Sequence, residues 1–277
     1  MHQQMQHAAA RPRQYVLITG GSSGIGLALA QQCAARGRDV VLIARDARRL
    51  EQAAAQVRAR CREAAQRIVC VPADVGDRAS IRRAIEAICD EHEAPAVAVM
   101  SAGIAVPGHF GEMDDEVFSE TMRINYFGSL YTAQALLPHM QAAGIGTLVF
   151  IASGAALTGI FGYSAYAPSK FAVRGLAEVL RAELKPLGIQ VSIAYPPDTD
   201  TPQYEAENRT KPQQTRAITG AAGLWPVDRV AEKIMRGIER GRFAIPIGAE
   251  VTSLYWLHSL IQPLLFRWFD RLAKRRP

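Results

Sequence analysis

TGGSSGIG, residues 19–26, is the stretch on which the fold turns. It follows YVLIT (15–19), a short β-branched run that reads as a buried strand. It opens IGLALAQQCAARG (25–37), whose apolar residues recur at helical spacing and stop at Gly37. Glycines in such a loop permit a tight turn and close approach of the backbone to a ligand. The helix behind it presents free N–H groups and the positive end of its dipole. A glycine-rich loop alone is no more than a turn. Between a strand and a helix it predicts a cradle for the pyrophosphate of a dinucleotide.

Outward from this unit the alternation continues. DVVLIAR (39–45), RIVCVPADV (67–75), AVAVM (96–100), GTLVFIAS (146–153) and IQVSIAYP (189–196) read as strands, with FAIPIG (243–248) a short last one. Helical patterns fill 46–66, 80–88, 114–143 (two helices, the second from about Asn125), 163–187 and 226–240. Strands this apolar, separated by helices, predict an α/β fold: a Rossmann-type doubly wound parallel sheet of about seven strands with helices on both faces. Residues 14–250 form one domain, preceded by a polar, flexible arm (1–13) and followed by an apolar and basic extension (251–277). Within the domain, 196–225 is rich in Pro, Thr and charge. It is too polar for a core and too long for a connector, so it reads as a lid.

The chain has 277 residues and a net charge of +6. Residues 1–13 carry +2 and residues 251–277 carry +4, so the body between them is neutral. That argues against a phosphate-tracking surface and against nucleic acid as a partner. With 49% apolar and 21% charged residues, a disordered or fibrous chain is excluded. Cys33, Cys61, Cys70 and Cys89 form no C-x-x-C pair and have no His-rich neighbour, so neither a disulfide framework nor a metal site is expected. The N-terminus lacks the apolar stretch of a signal peptide, which makes a cytoplasmic location the expectation.

The spacing T-G-x-x-x-G-x-G, in place of G-x-G-x-x-G, resembles the short-chain dehydrogenase/reductase family. The resemblance implies NAD or NADP, held in the loop by Thr19, Gly20, Ser22, Ser23, Gly24, Ile25 and Gly26. An acidic residue at the end of the second strand would bond the ribose 2′-hydroxyl of NAD. Here Ala44-Arg45 stands there, and a guanidinium with the Ser22 hydroxyl suits a 2′-phosphate, so NADPH is expected. Asp46 reads as a helix N-cap. Asp74-Val75 follows the third strand, where the family places an adenine-bonding Asp. Ala102 and Gly103 follow the fourth, in Ser-Ala-Gly where many members have Asn-Ala-Gly.

Tyr166 and Lys170 are four apart on one helix and share a face. A nearby ammonium favours phenolate and draws a phenol's pKa down, making Tyr166 a usable proton donor to a carbonyl oxygen. Ser153 ends the fifth strand, where its hydroxyl can stabilise a developing oxyanion. Asn125 alone would read as an N-cap; the family implies that it holds a water linking Lys170 to solvent. Asn125, Ser153, Tyr166 and Lys170 stand in family order and spacing. After the sixth strand, Pro196, Thr199 and Thr201 fall where the family contacts the cofactor, with Pro197 replacing a Gly.

The runs AYPPDTDTP (194–202), EAENRTKPQQTR (205–216), SKFAVRGLAEVLRAELKP (169–186) and GIFGYSAY (159–166) are similar to the 3-ketodihydrosphingosine reductase branch of that family. The resemblance implies reduction of a long-chain amino ketone in sphingolipid synthesis. Another lipid-like ketone (3-oxoacyl or steroid) is the alternative, and a non-catalytic cofactor-binding regulator is a third reading. Ala155, Leu157, Phe161 and Tyr163 flank the catalytic pair and line either a channel or the core. Asp198, Glu205 and Glu207 have the charge to meet a substrate cation, although solvated lid charge is the plainer reading for most of them. In VTSLYWLHSLIQPLLFRWFDRLAKRRP (251–277) the uncharged part, 251–266, is sixteen residues broken by Pro263, short of the ~20 that span a bilayer. Two readings stay open for it. Trp256, Leu260, Leu264 and Trp268 lie in a lipid interface with the basic tail on anionic headgroups, or the segment packs on the protein or a partner subunit of a homo-oligomer.

Overall fold

A computed structural model describes residues 14–220 and 223–273; the arm expected at 1–13 and the basic Lys274, Arg275 and Arg276 lie outside the described residues. The strands are β1 (Tyr15–Thr19), β2 (Asp39–Ala44), β3 (Ile68–Pro72), β4 (Val97–Met100), β5 (Thr147–Ile151), β6 (Gln190–Tyr195) and β7 (Ala244–Pro246). They form one seven-stranded sheet in the order β3-β2-β1-β4-β5-β6-β7. Every pairing is parallel, in registers such as Leu17 with Val41 and Leu17 with Ala98.

Alternation along each strand feeds two separate cores. Leu17, Val41, Ile43 and Phe150 point to one face, where Ile81 and Ile85 of α3 (Arg78–His92), Leu136 of α5 (Gly128–Ala143) and Val173 of α6 (Tyr166–Leu184) meet them. Val16, Ile18, Val40 and Leu42 point to the other, against Leu29 of α1 (Gly24–Ala35), Leu50 of α2 (Ala47–Arg58) and Ile234 of α9 (Val227–Glu239). A strand covered on both faces must be apolar at every position, which is why these strands read as continuous runs.

Three elements differ from expectation. α2 ends at Arg58, and residues 59–66 are turn and coil that carry the chain to β3. The segment 114–143 is nearly continuous: α4 (Asp115–Met122) passes through a π-helical turn, Arg123–Phe127, into α5. The expected lid is helical, with α7 (Pro202–Thr210) and α8 (Gln213–Thr219). Thr201 caps α7 by accepting the Tyr204 N–H, and Pro202 takes its first position, where a missing N–H costs nothing.

The extension forms α10 (Ala249–Ala273), which runs unbroken through Pro263. Proline removes the hydrogen bond to the carbonyl four residues back, Ser259, which is exposed and open to water. Val251 is buried, and Leu254 and Tyr255 pack on the first core. Trp256, Leu260 and Leu264, spaced four apart, are 72%, 77% and 65% exposed. Among the described residues no helix is long and apolar enough to cross a membrane.

Candidate active site

The strand order reverses between β1 and β4, so the loops after them leave in opposite directions and open a crevice at the carboxyl end of the sheet. A cavity of about 650 Å³ occupies this crevice. The glycine loop forms its floor. Gly20 has a φ of +68°, and a Cβ there would stand 2.7 Å from the Ala102 backbone, so the loops after β1 and β4 touch only because position 20 is glycine. Gly20, Ser22, Ser23, Gly24 and Ile25 line the cavity. Thr19 and Gly26 do not; they sit behind the wall. The Thr19 Oγ1 faces the Ala102 N–H at 3.4 Å, and a Cβ on Gly26 would strike the Gly20 carbonyl.

The start of α1 is the point that tests a phosphate ligand. Asp46 caps α2 through the Arg49 N–H, and Asp77 caps α3 through Ala79 and Ser80. Among the described residues no side chain caps α1, although serines precede it. Its first N–H groups therefore face the cavity free for an anion, as a pyrophosphate needs. Arg45 and Arg49 line the same end. Asp74 lines it too, with Oδ2 3.1 Å from Arg123 and Oδ1 accepting the Gly76 N–H at 2.9 Å. Val75, Ala102, Gly103, Pro196, Thr199 and Thr201 complete the expected wall. These donors and the anion-ready helix fit a phosphorylated dinucleotide. Arg49 and Arg123 were not singled out in the sequence; their helical spacing among many other arginines gave no signal.

At the other end of the crevice, Tyr166 begins α6 and Lys170 lies one turn on, both buried and both facing the cavity. The Lys170 Nζ donates to the Ile151 carbonyl at 2.9 Å and lies 5.6 Å from the Tyr166 ring centre. Burial pushes the Lys170 pKa down to about 8, with Glu207 acting the other way. Burial also raises the Tyr166 phenol well above its ordinary value, reinforced by the charges of Glu207 and Asp198, while hydrogen bonds from Ser153 and Gln203 pull back down. The expected lowering of the phenol by the lysine is thus not what the protein does by itself. Desolvation and two carboxylates outweigh it, and the phenol is held protonated.

Asn125 lies in the π-helical turn, fully buried, and does not cap a helix. Its Oδ1 accepts the Ile104 N–H at 2.8 Å, and its Nδ2 donates to the Ile104 carbonyl at 3.0 Å and to Ser169 Oγ at 2.9 Å. Ser169 in turn donates to the Tyr166 carbonyl at 2.7 Å. Asn125 thereby ties the β4 loop to the first turn of α6. A Cβ on Gly103 would sit 3.2 Å from Asn125 Oδ1 and 3.4 Å from Lys170 Nζ, so both side chains close in on that one glycine. The Ser153 Oγ accepts the Ala155 N–H at 3.1 Å.

The lid contradicts one expectation. Glu205 is exposed, but Glu207 is buried and Asp198 is partly buried, so these two are not solvated lid charge. The Tyr163 hydroxyl donates to Glu207 Oε2 at 2.7 Å, and Gln203 donates to Oε1 at 2.9 Å. Of the flanking residues, Ala155 and Tyr163 line the cavity, whereas Leu157 belongs to the core. Opposite, the inner face of α10 supplies Leu254, Ile261, Leu265, Trp268 and Phe269, an apolar arm that leads out from Tyr166.

The family described as short chain dehydrogenase matches residues 14–212. Over 251 residues the chain is 38% identical to a 3-dehydrosphinganine reductase of Danio rerio, covering 90% of this chain and 76% of that protein. Over 252 residues it is 37% identical to a 3-ketodihydrosphingosine reductase of Bos taurus, covering 91% and 75%. Among solved structures it is similar to a short-chain dehydrogenase from Sphingobium yanoikuyae in complex with NADPH, at 28% identity and a TM-score of 0.77, covering 91% of this chain and 95% of that one.

Proposed function

The chain belongs to the short-chain dehydrogenase/reductase family, and from that premise we propose that it reduces the C3 ketone of 3-ketodihydrosphingosine to dihydrosphingosine with NADPH. The observation that carries the reading is the position of the buried Tyr166–Lys170 pair between an anion-ready glycine loop and an apolar arm. NADPH, when bound, supplies the hydride. The uncapped start of α1 holds its pyrophosphate, Arg45 and Ser22 take the 2′-phosphate, and Asp74 with Val75 flanks the adenine. Ala102, Gly103, Pro196, Thr199 and Thr201 complete the cofactor wall.

Tyr166 is the general acid. Its phenol is held protonated by burial, which suits delivery of a proton to the carbonyl oxygen. Ser153, which lines the cavity with the same phenol, donates to that oxygen as charge develops on it. Lys170 places a cation behind the phenol and stabilises its conjugate base once the proton has left. Asn125 is a positioning residue, holding the first turn of α6 against the β4 loop through Ser169 and Ile104.

The exposed ridge of α10 supports peripheral attachment to a membrane on its cytoplasmic side. Trp256, Leu260 and Leu264 enter the acyl boundary, and Arg267 and Arg271 continue the same face toward anionic headgroups.

The test is NADPH consumption with 3-ketodihydrosphingosine beside an acetoacetyl thioester, with the product identified by mass. The amino ketone is expected to turn over faster, and Tyr166→Phe to lose about 10²–10⁴-fold in kcat while NADPH affinity holds. Preference for the thioester would overturn the substrate, and full turnover by Tyr166→Phe would overturn the acid.

A further inference from the structure

Asp198 and Glu207 share one lysine. The Lys211 Nζ lies 3.4 Å from Asp198 and 3.5 Å from Glu207, and the three side chains are 17%, 8% and 1% exposed in the order Asp198, Glu207, Lys211. Among the described residues Lys211 is the one cation within ion-pair distance of either carboxylate. The group therefore carries one uncompensated negative charge, largely withdrawn from water. Such a charge is costly unless a cation meets it.

Both carboxylates line the cavity beside Tyr166 and Tyr163. The Tyr163 and Tyr166 rings are 5.2 Å apart, and the Tyr163 hydroxyl donates to Glu207, so the negative charge is one ring removed from the proton donor. A second observation points to a ligand at the same wall. Thr158 lines the cavity and is 3% exposed, and its Oγ1 has no hydrogen-bond partner among the described residues. Buried hydroxyls are rarely left unpaired.

On the reading of the substrate given above, its head carries a hydroxyl, an ammonium and a ketone on three successive carbons. We infer that Asp198 and Glu207 form an ammonium subsite that selects a ketone bearing an amine on the adjacent carbon, with the Thr158 hydroxyl meeting the terminal alcohol. Once the ketone oxygen sits at Tyr166, the ammonium on the next carbon reaches the carboxylate side of Tyr163. It completes the charge that Lys211 leaves open. Lys211 also bridges the two carboxylates, with its ammonium held 4.7 Å from the Tyr204 ring centre.

The experiment compares kcat/KM for the amino ketone with that for its deamino analogue, the 1-hydroxy-3-ketone of equal chain length. In Asp198→Asn and Glu207→Gln the preference for the amine is expected to fall about ten- to hundredfold, mainly through KM. Glu205→Gln, an exposed carboxylate on the same helix, keeps the wild-type preference. A preference unchanged in both variants overturns the subsite, whatever happens to the separate rates. Should Glu207→Gln fail to fold, Asp198→Asn carries the same comparison. Failure of the wild type on the amino ketone overturns the substrate reading instead, and so is told apart from failure of the subsite.

Discussion

Lys170 stays buried with its ammonium against a single carbonyl, and its pKa is about 8 against an ordinary 10.5. The folded protein therefore holds that proton more weakly than the unfolded chain does. The cost is on the order of 3 kcal/mol below pH 8. It fades as pH rises from 8 to 10.5 and is gone above that. Lys170→Met should thus stabilise the protein against wild type more at pH 7 than at pH 10, by about 2–3 kcal/mol in urea unfolding without cofactor. An equal difference at both pH values would show that the ammonium is not strained by burial. The pairing of Tyr166 with Lys170 was legible because four residues is one helical turn. The raised phenol was not, because it depends first on burial and then on the charges of Glu207 and Asp198, which reach the site from the segment after β6.

At the scale of elements, the sheet was legible and the lid was not. Strands buried on two faces announce themselves as apolar runs, whereas α7 has a mostly polar surface. Its start was nonetheless written in the chain as Thr201-Pro202, an N-cap followed by proline at the first helical position. Gln203, Glu207 and Lys211 then recur every four residues, a helical face hidden by the prolines on either side. Asn125 misled for a different reason: a π-helical turn lets one helix run into the next without the break that an N-cap implies. Pro263 misled because the carbonyl it frees, that of exposed Ser259, is open to water, which lowers the cost of keeping the helix. α10 faces two ways, with its ridge outward. Changing Trp256, Leu260 and Leu264 together to Glu should abolish flotation with anionic liposomes. The same change should alter stability by about 0.5 kcal/mol or less per site, since these side chains are exposed. Undiminished flotation would sink the membrane reading.

For the whole molecule, the part of the charge asymmetry that falls on described residues gains a location. Arg267 and Arg271 stand on the exposed face of α10, whose other face walls the cavity. On the attachment proposed above, the neutral body is the catalytic unit and the outer face of α10 is the side turned to the membrane. What the sequence could not reveal is that one face of this helix walls the cavity while the other is exposed, because helical spacing shows that two faces exist but not what each touches. The two-sided role of α10 has a kinetic consequence. On the proposed membrane contact, a ketone that enters along this helix is drawn from a two-dimensional pool, so velocity should follow its mole fraction in the lipid and not its bulk concentration. Diluting the ketone with inert detergent in mixed micelles, at fixed total ketone, should slow turnover; a rate indifferent to that dilution would mean that the ketone arrives through water. If α10 rests on a membrane as proposed, product would return to the same leaflet, where the next enzyme to act on it can find it by lateral diffusion.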